Sequence, residues 1–105
     1  MKYGLTDTSW QAILQVLRQS SAIDKAVLFG SRAKGDFHPG SDIDIAVSGK
    51  YFMFEDLLSL KVRFDALDLL NRVDPVSYAS IKNPEFKEHI DRVGIPIYQK
   101  PGSII

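Results

Sequence analysis

Apolar residues recur along the chain with two different periods, and the alternation between them outlines a set of elements. Trp10, Ile13, Leu14 and Leu17 stand at i, i+3, i+4 and i+7, the stripe of an amphipathic helix. Thr8-Ser9-Trp10-Gln11 has the form of a capping box with Thr8 at the N-cap, and the helix is expected to end near Ser20. Ala26-Val27-Leu28-Phe29 is a short apolar run stopped by Gly30, which predicts a buried strand. From Ser31 to Ser41 the residues are small, charged or turn-forming, with Pro39-Gly40 near the end. Ile43, Ile45 and Val47 then alternate with Asp42, Asp44 and Ala46, the period of a strand with one polar edge.

Leu57, Leu60, Phe64 and Leu67 predict a second long helix from about Phe54 to Asn71. Val73, Val76 and Tyr78 predict a third strand between Arg72 and Tyr78, despite Pro75. Asn83 followed by Pro84 is an N-cap with proline at the first helical position, and that helix runs to about Val93 before Gly94. Ile95-Pro96-Ile97-Tyr98 reads as a short edge strand, where proline is tolerated. The expected class is α/β (α+β in some schemes): one small sheet with helices packed against it, spanning residues 1–100, then a tail over 101–105.

Composition narrows the function. A chain of 105 residues suits one domain and can bury one core without staples. The absence of cysteine excludes a disulfide scaffold, a thiol nucleophile and a cysteine-based zinc site. Thirteen Lys+Arg balance thirteen Asp+Glu, so no extended nucleic-acid-binding surface is expected, while a local phosphate site stays compatible. Charge near zero favours association with a partner or with itself. No apolar run reaches the length of a membrane span, and Met1-Lys2-Tyr3-Gly4 lacks the apolar core of a signal peptide. The expected location is cytoplasmic.

The candidate chemistry lies between Gly30 and Asp44. Gly30-Ser31 ends a strand and opens a segment that can begin as a helix, a junction whose free N–H groups suit a phosphate. Ser31 adds a hydroxyl, and Arg32 and Lys34 stand nearby as cations. Beyond ten intervening residues after Ser31, Asp42 and Asp44 point to one face of a strand, where they repel each other unless a positive charge compensates. A hard divalent cation with oxygen ligands, such as Mg²⁺, is the natural compensation. Alone, a Gly-Ser pair is a turn and an Asp-x-Asp is a polar strand face. The combination at this spacing carries more weight.

The string Leu28-Phe29-Gly30-Ser31-Arg32-Ala33-Lys34-Gly35, followed by Ser41-Asp42-Ile43-Asp44-Ile45-Ala46-Val47, resembles the minimal nucleotidyltransferase (MNT) branch of the polymerase-β-like nucleotidyltransferases. The resemblance is specific over Val27 to Val47, and the leading helix and the Asn83-Pro84-Glu85-Phe86 to Ile97-Tyr98 ending extend it over nearly the whole chain. It implies a small mixed sheet of the nucleotidyltransferase fold. It also implies transfer of a nucleoside monophosphate, AMP from ATP or another NTP, to an acceptor hydroxyl with release of pyrophosphate. Asp42 and Asp44 would hold two Mg²⁺ ions, and Asp74 would be the third carboxylate, completing a metal site and helping to deprotonate the acceptor. Gly30 and Ser31 would bind the β/γ-phosphates, with Arg32 and Lys34 as further candidates. Pro75 departs from the family pattern by removing a backbone donor, which leaves the pairing of Asp74 open.

The MNT branch is commonly paired with a helical HEPN-domain protein in toxin–antitoxin modules, so the implied role is an antitoxin that modifies its partner. The alternative is a binding module that neutralises the partner by contact. Nucleotidylation of a small molecule is disfavoured because little of the chain is left to bind it. His38 and His89 lack ligand-like spacing, and Ser31 lacks the Gly-x-Ser-x-Gly elbow of a hydrolase. Phe52-Met53-Phe54 and Phe64 read as core or partner contacts.

Overall fold

The structure is a computed structural model that describes residues 1–102, and residues 103–105 of the expected tail lie outside the described residues. In chain order the elements are α1 (Asp7–Gln19), β1 (Lys25–Phe29), α2 (Gly30–Lys34), β2 (Ile43–Ser48), α3 (Phe54–Asp65), β3 (Val73–Ser77), a 3-10 turn (Tyr78–Ser80), α4 (Pro84–Val93) and β4 (Ile95–Gln99). The strands form one sheet in the order β3-β2-β1-β4. β1 runs antiparallel to β2 and β4, whereas β2 and β3 are parallel, so the sheet is mixed, as expected. α3 supplies the crossover that a parallel pair requires.

Side chains alternate across the sheet and divide it into two faces. Ala26, Leu28, Ile43, Ile45, Val47 and Val73 are buried against Trp10, Ile13 and Leu17 of α1 and Leu60 and Phe64 of α3. The opposite face carries Phe29 and Ala46, packed on Ile90 of α4, and the Phe86 ring meets Phe29 edge-on at 5.7 Å. Asp44 and Asp74 share parity with Ala46 and Val76, which places them on this second, thinly covered face. None of the described helices is long and apolar enough to cross a membrane.

Two local expectations need correction. α1 is capped by Thr6 rather than Thr8: the Thr6 side chain accepts from the Ser9 N–H at 3.2 Å. That start puts Asp7 in the first turn, where the helix dipole favours a negative charge. α3 ends at Asp65, well short of Asn71, and the chain turns through Asp68 at a φ of 53°. Leaving the helix frees Asn71 to donate to the carbonyls of Pro39 at 2.6 Å and Ser41 at 3.2 Å. Phe52 is half-buried and Phe64 buried, but Met53 and Phe54 are exposed.

Pro75 is accommodated by strand position. β3 lies at the sheet edge, and its ladder opens with the Ile43 N–H donating to the Arg72 carbonyl at 2.8 Å. The alternation of a parallel ladder then turns the backbone groups of Asp74 and Val76 toward β2 and leaves the Pro75 nitrogen on the open side. Asp74 keeps its register.

Candidate active site

The junction of β1 and α2 is set by one glycine. Phe29 is the register partner of Asp44, and Gly30 follows at a φ of 74°, a left-handed conformation that glycine adopts without strain. A β-carbon on Gly30 would collide with the Asp44 carboxylate. Phe29 occupies the N-cap of α2 and offers no side-chain hydrogen bond, so no cap engages the first-turn N–H groups beside Ser31.

Asp44 and Asp74 are direct register partners across the parallel pair, and Asp42 stands one residue before β2. Arg72, one residue before β3, joins the outer two: its Nη2 lies 3.7 Å from Asp42 Oδ2 and 3.6 Å from Asp74 Oδ2. Burial raises the pKa of Asp44, and the neighbouring Asp74 and Asp42 carboxylates raise it further, against the opposing pull of Arg72 and Arg32. The cluster is open to solvent, with Asp42 and Asp74 side chains 48% and 37% exposed. A cavity of about 280 Å³ on the same sheet face, lined by Lys25, Ser48, Tyr78 and Asp91 among others, includes none of the three carboxylates.

The basic residues divide. Arg32, expected beside the nucleotide phosphates, is buried, and its guanidinium donates to the carbonyls of Tyr3 at 2.8 Å and Ser41 at 2.9 Å. It stacks over the Phe37 ring at 5.1 Å and ties the N-terminal segment to the loop before β2. The guanidinium is thus committed to backbone carbonyls within the fold. Lys34 is exposed at the end of α2 and pairs with Asp36 at 3.4 Å. Ser31 is half-buried in the first turn of α2.

Two site residues were missed by sequence reasoning. Asn71 and Arg32 clamp the Ser41 carbonyl from two sides, fixing the backbone one residue ahead of Asp42. Arg72 bridges two of the carboxylates. Its place immediately before the strand that carries Asp74 was the available signal, since a parallel register sets that position beside the residue preceding β2.

Among the described residues, no three carboxylate or imidazole groups are gathered closely enough to hold a metal as they stand. The donor set nevertheless fits a hard divalent cation: two carboxylates on adjacent strands and a third just before β2, with Asp44 made costly to ionise by burial and by its neighbours.

A family model described as polymerase beta, nucleotidyltransferase matches residues 11–102, and the chain belongs to that family. Similar solved structures come from its minimal nucleotidyltransferases. A chain from a toxin–antitoxin complex with AMP-PNP is 26% identical, with a TM-score of 0.70 over 88% of this chain and 74% of that one. A chain described as a minimal nucleotidyltransferase is 27% identical, with a TM-score of 0.67 over 92% of this chain and 97% of that one. A complex of tri-AMPylated Shewanella oneidensis HEPN toxin with MNT antitoxin contains a chain 22% identical, with a TM-score of 0.66 over 91% of this chain and 74% of that one; that likeness concerns the fold. A search of curated protein sequences found no match.

Proposed function

We propose that this protein is a Mg²⁺-dependent nucleotidyltransferase that moves AMP from ATP to a hydroxyl of a HEPN-type partner toxin in the cytoplasm, acting as its antitoxin. The observation that carries the reading is the placing of Asp42, Asp44 and Asp74 at one edge of the sheet, with Gly30 pressed against Asp44. Family membership supports the reaction type. The similar chain from a toxin–antitoxin complex with AMP-PNP supports an adenine nucleotide and a toxin partner.

Asp42, Asp44 and Asp74 would hold the cation, two ions in the full site. Bound Mg²⁺ supplies neutralisation of the triphosphate and stabilisation of an in-line displacement. Gly30 and Ser31 offer backbone N–H groups and a hydroxyl to the β- and γ-phosphates. The acceptor oxygen bonds to the α-phosphorus as the bond from that phosphorus to the α–β bridging oxygen breaks. Pyrophosphate leaves with the electron pair, and the hydroxyl proton passes to the Asp74 carboxylate and on to solvent. The open setting of these carboxylates favours a macromolecular acceptor whose surface excludes competing water.

Mass spectrometry of the partner toxin, co-expressed with this chain, tests the reading. The expected result is AMP on a side-chain hydroxyl, tyrosine foremost, lost with the Asp42→Asn/Asp44→Asn variant together with neutralisation. An unmodified partner, still neutralised by the double variant, would make the protein a contact inhibitor instead.

A further inference from the structure

The electrostatics of the carboxylate cluster single out Arg72. Its backbone is fixed by the first hydrogen bond of the β2–β3 ladder, while its side chain is 65% exposed. A single nitrogen, Nη2, serves both Asp42 and Asp74, at 3.7 and 3.6 Å. Both separations exceed the about 2.7–2.9 Å of a charge-assisted hydrogen bond, so the contact is Coulombic and not locked in geometry. Among the described ion pairs Arg72 has no other acidic partner. It also lowers the cost of ionising Asp44, which the two neighbouring carboxylates raise. The guanidinium therefore lies where a cation shared by these carboxylates would place its charge.

We infer that Arg72 is an internal counter-ion that partly neutralises Asp42 and Asp74 when the cation is absent and competes with the cation for them. This rests on the proposed reading of the three aspartates as cation ligands and adds a residue that weakens, rather than builds, that site. Three carboxylates held together without compensation would strain the edge of the sheet. A loosely held arginine relieves the repulsion and, being exposed, moves aside at little cost when a divalent ion arrives. The consequence is a fold that tolerates the absence of metal and a site that binds free cation weakly.

The test is calorimetric titration of the nucleotide-free full chain with Mn²⁺, for wild type, Arg72→Gln and Arg72→Lys, alongside thermal unfolding in EDTA and in Mn²⁺. Arg72→Gln is expected to bind Mn²⁺ roughly fivefold more tightly than wild type, the scale of exposed ion pairs. It should also melt earlier in EDTA and gain more from added Mn²⁺. Arg72→Lys, which keeps the charge, should stay near wild type. If Arg72→Gln does not fold, Arg72→Met, which keeps much of the aliphatic stem, carries the same comparison. Mn²⁺ binding that depends on Asp44 but has equal or lower affinity in Arg72→Gln overturns this inference alone. Failure of Mn²⁺ to bind to any of the proteins overturns it together with the metal reading on which it rests.

Discussion

Gly30 lies against the carboxylate of Asp44 so closely that a β-carbon on the glycine would overlap it. The two residues are brought together by the antiparallel register of β1 and β2, in which Phe29 faces Asp44 and the chain turns immediately afterwards. The turn and the carboxylate are thus one structural unit.

Gly30→Ala should therefore damage the site more than the fold. Holding an L-residue in the left-handed region costs about 1–2 kcal/mol. The displaced Asp44 should lower nucleotidyl transfer roughly 100-fold, as small misplacements of catalytic groups do. Urea unfolding and a labelled-ATP transfer assay give the two quantities. Lost stability with intact transfer would separate Gly30 from the chemistry.

Asp44 should oppose folding at neutral pH when no metal is bound. Its pKa is raised by burial and by Asp74 and Asp42, so the folded protein holds that proton more tightly than the unfolded chain does. The resulting contribution is fully present below the ordinary value of 3.8 and is lost as pH rises through the raised value. Asp44→Asn should consequently melt higher than wild type in EDTA near neutral pH, with the advantage shrinking toward acid. Thermal melts across pH measure this, and an advantage that grows on acidification would contradict it.

Arg32 should be a stability residue. Removing its guanidinium strips the Tyr3 carbonyl of this donor and leaves the Ser41 carbonyl to Asn71 alone, and an unsatisfied buried group costs about 1–3 kcal/mol. Arg32→Met is expected to lose roughly 1–3 kcal/mol by urea titration. Arg32→Lys should lose about half as much, since one ammonium does not span both carbonyls as the planar fork does.

Asp74→Asn should fold like wild type yet fail in transfer. The side chain is partly exposed, and its register depends on backbone bonds that the substitution leaves alone. Losing a carboxylate that holds the cation and takes the proton should reduce turnover by at least about 100-fold. Circular dichroism and the transfer assay check the pair of outcomes. Unchanged turnover would make Asp74 a surface carboxylate only.

Most of the element order was legible because its signals are local. The stripe Trp10, Ile13, Leu14, Leu17 and the alternation Ile43, Ile45, Val47 depend on neighbours within a few residues, where backbone geometry alone imposes the period. The spacing from Gly30-Ser31 to Asp42/Asp44 lay in the sequence for the same reason. The α3 boundary was misjudged because Leu67 continues the helical period yet reaches the core from the turn after Asp65. Asn71 then finds acceptors at Pro39 and Ser41, and a long-range hydrogen bond of this kind leaves no periodic trace.

Local patterning along the chain carried two things: the elements, and the presence of acidic and basic groups near one glycine turn. What each charge does was settled by long-range contacts. Arg32 and Arg72 both flank the aspartates in sequence terms, yet Arg32 turns inward to a carbonyl at Tyr3 while Arg72 stays outside between Asp42 and Asp74. The division follows from the register of β2 with β3 and from the approach of the N-terminal segment to the loop before β2. Burial and partner distance set the work of a charged side chain, and both are properties of distant residues brought together.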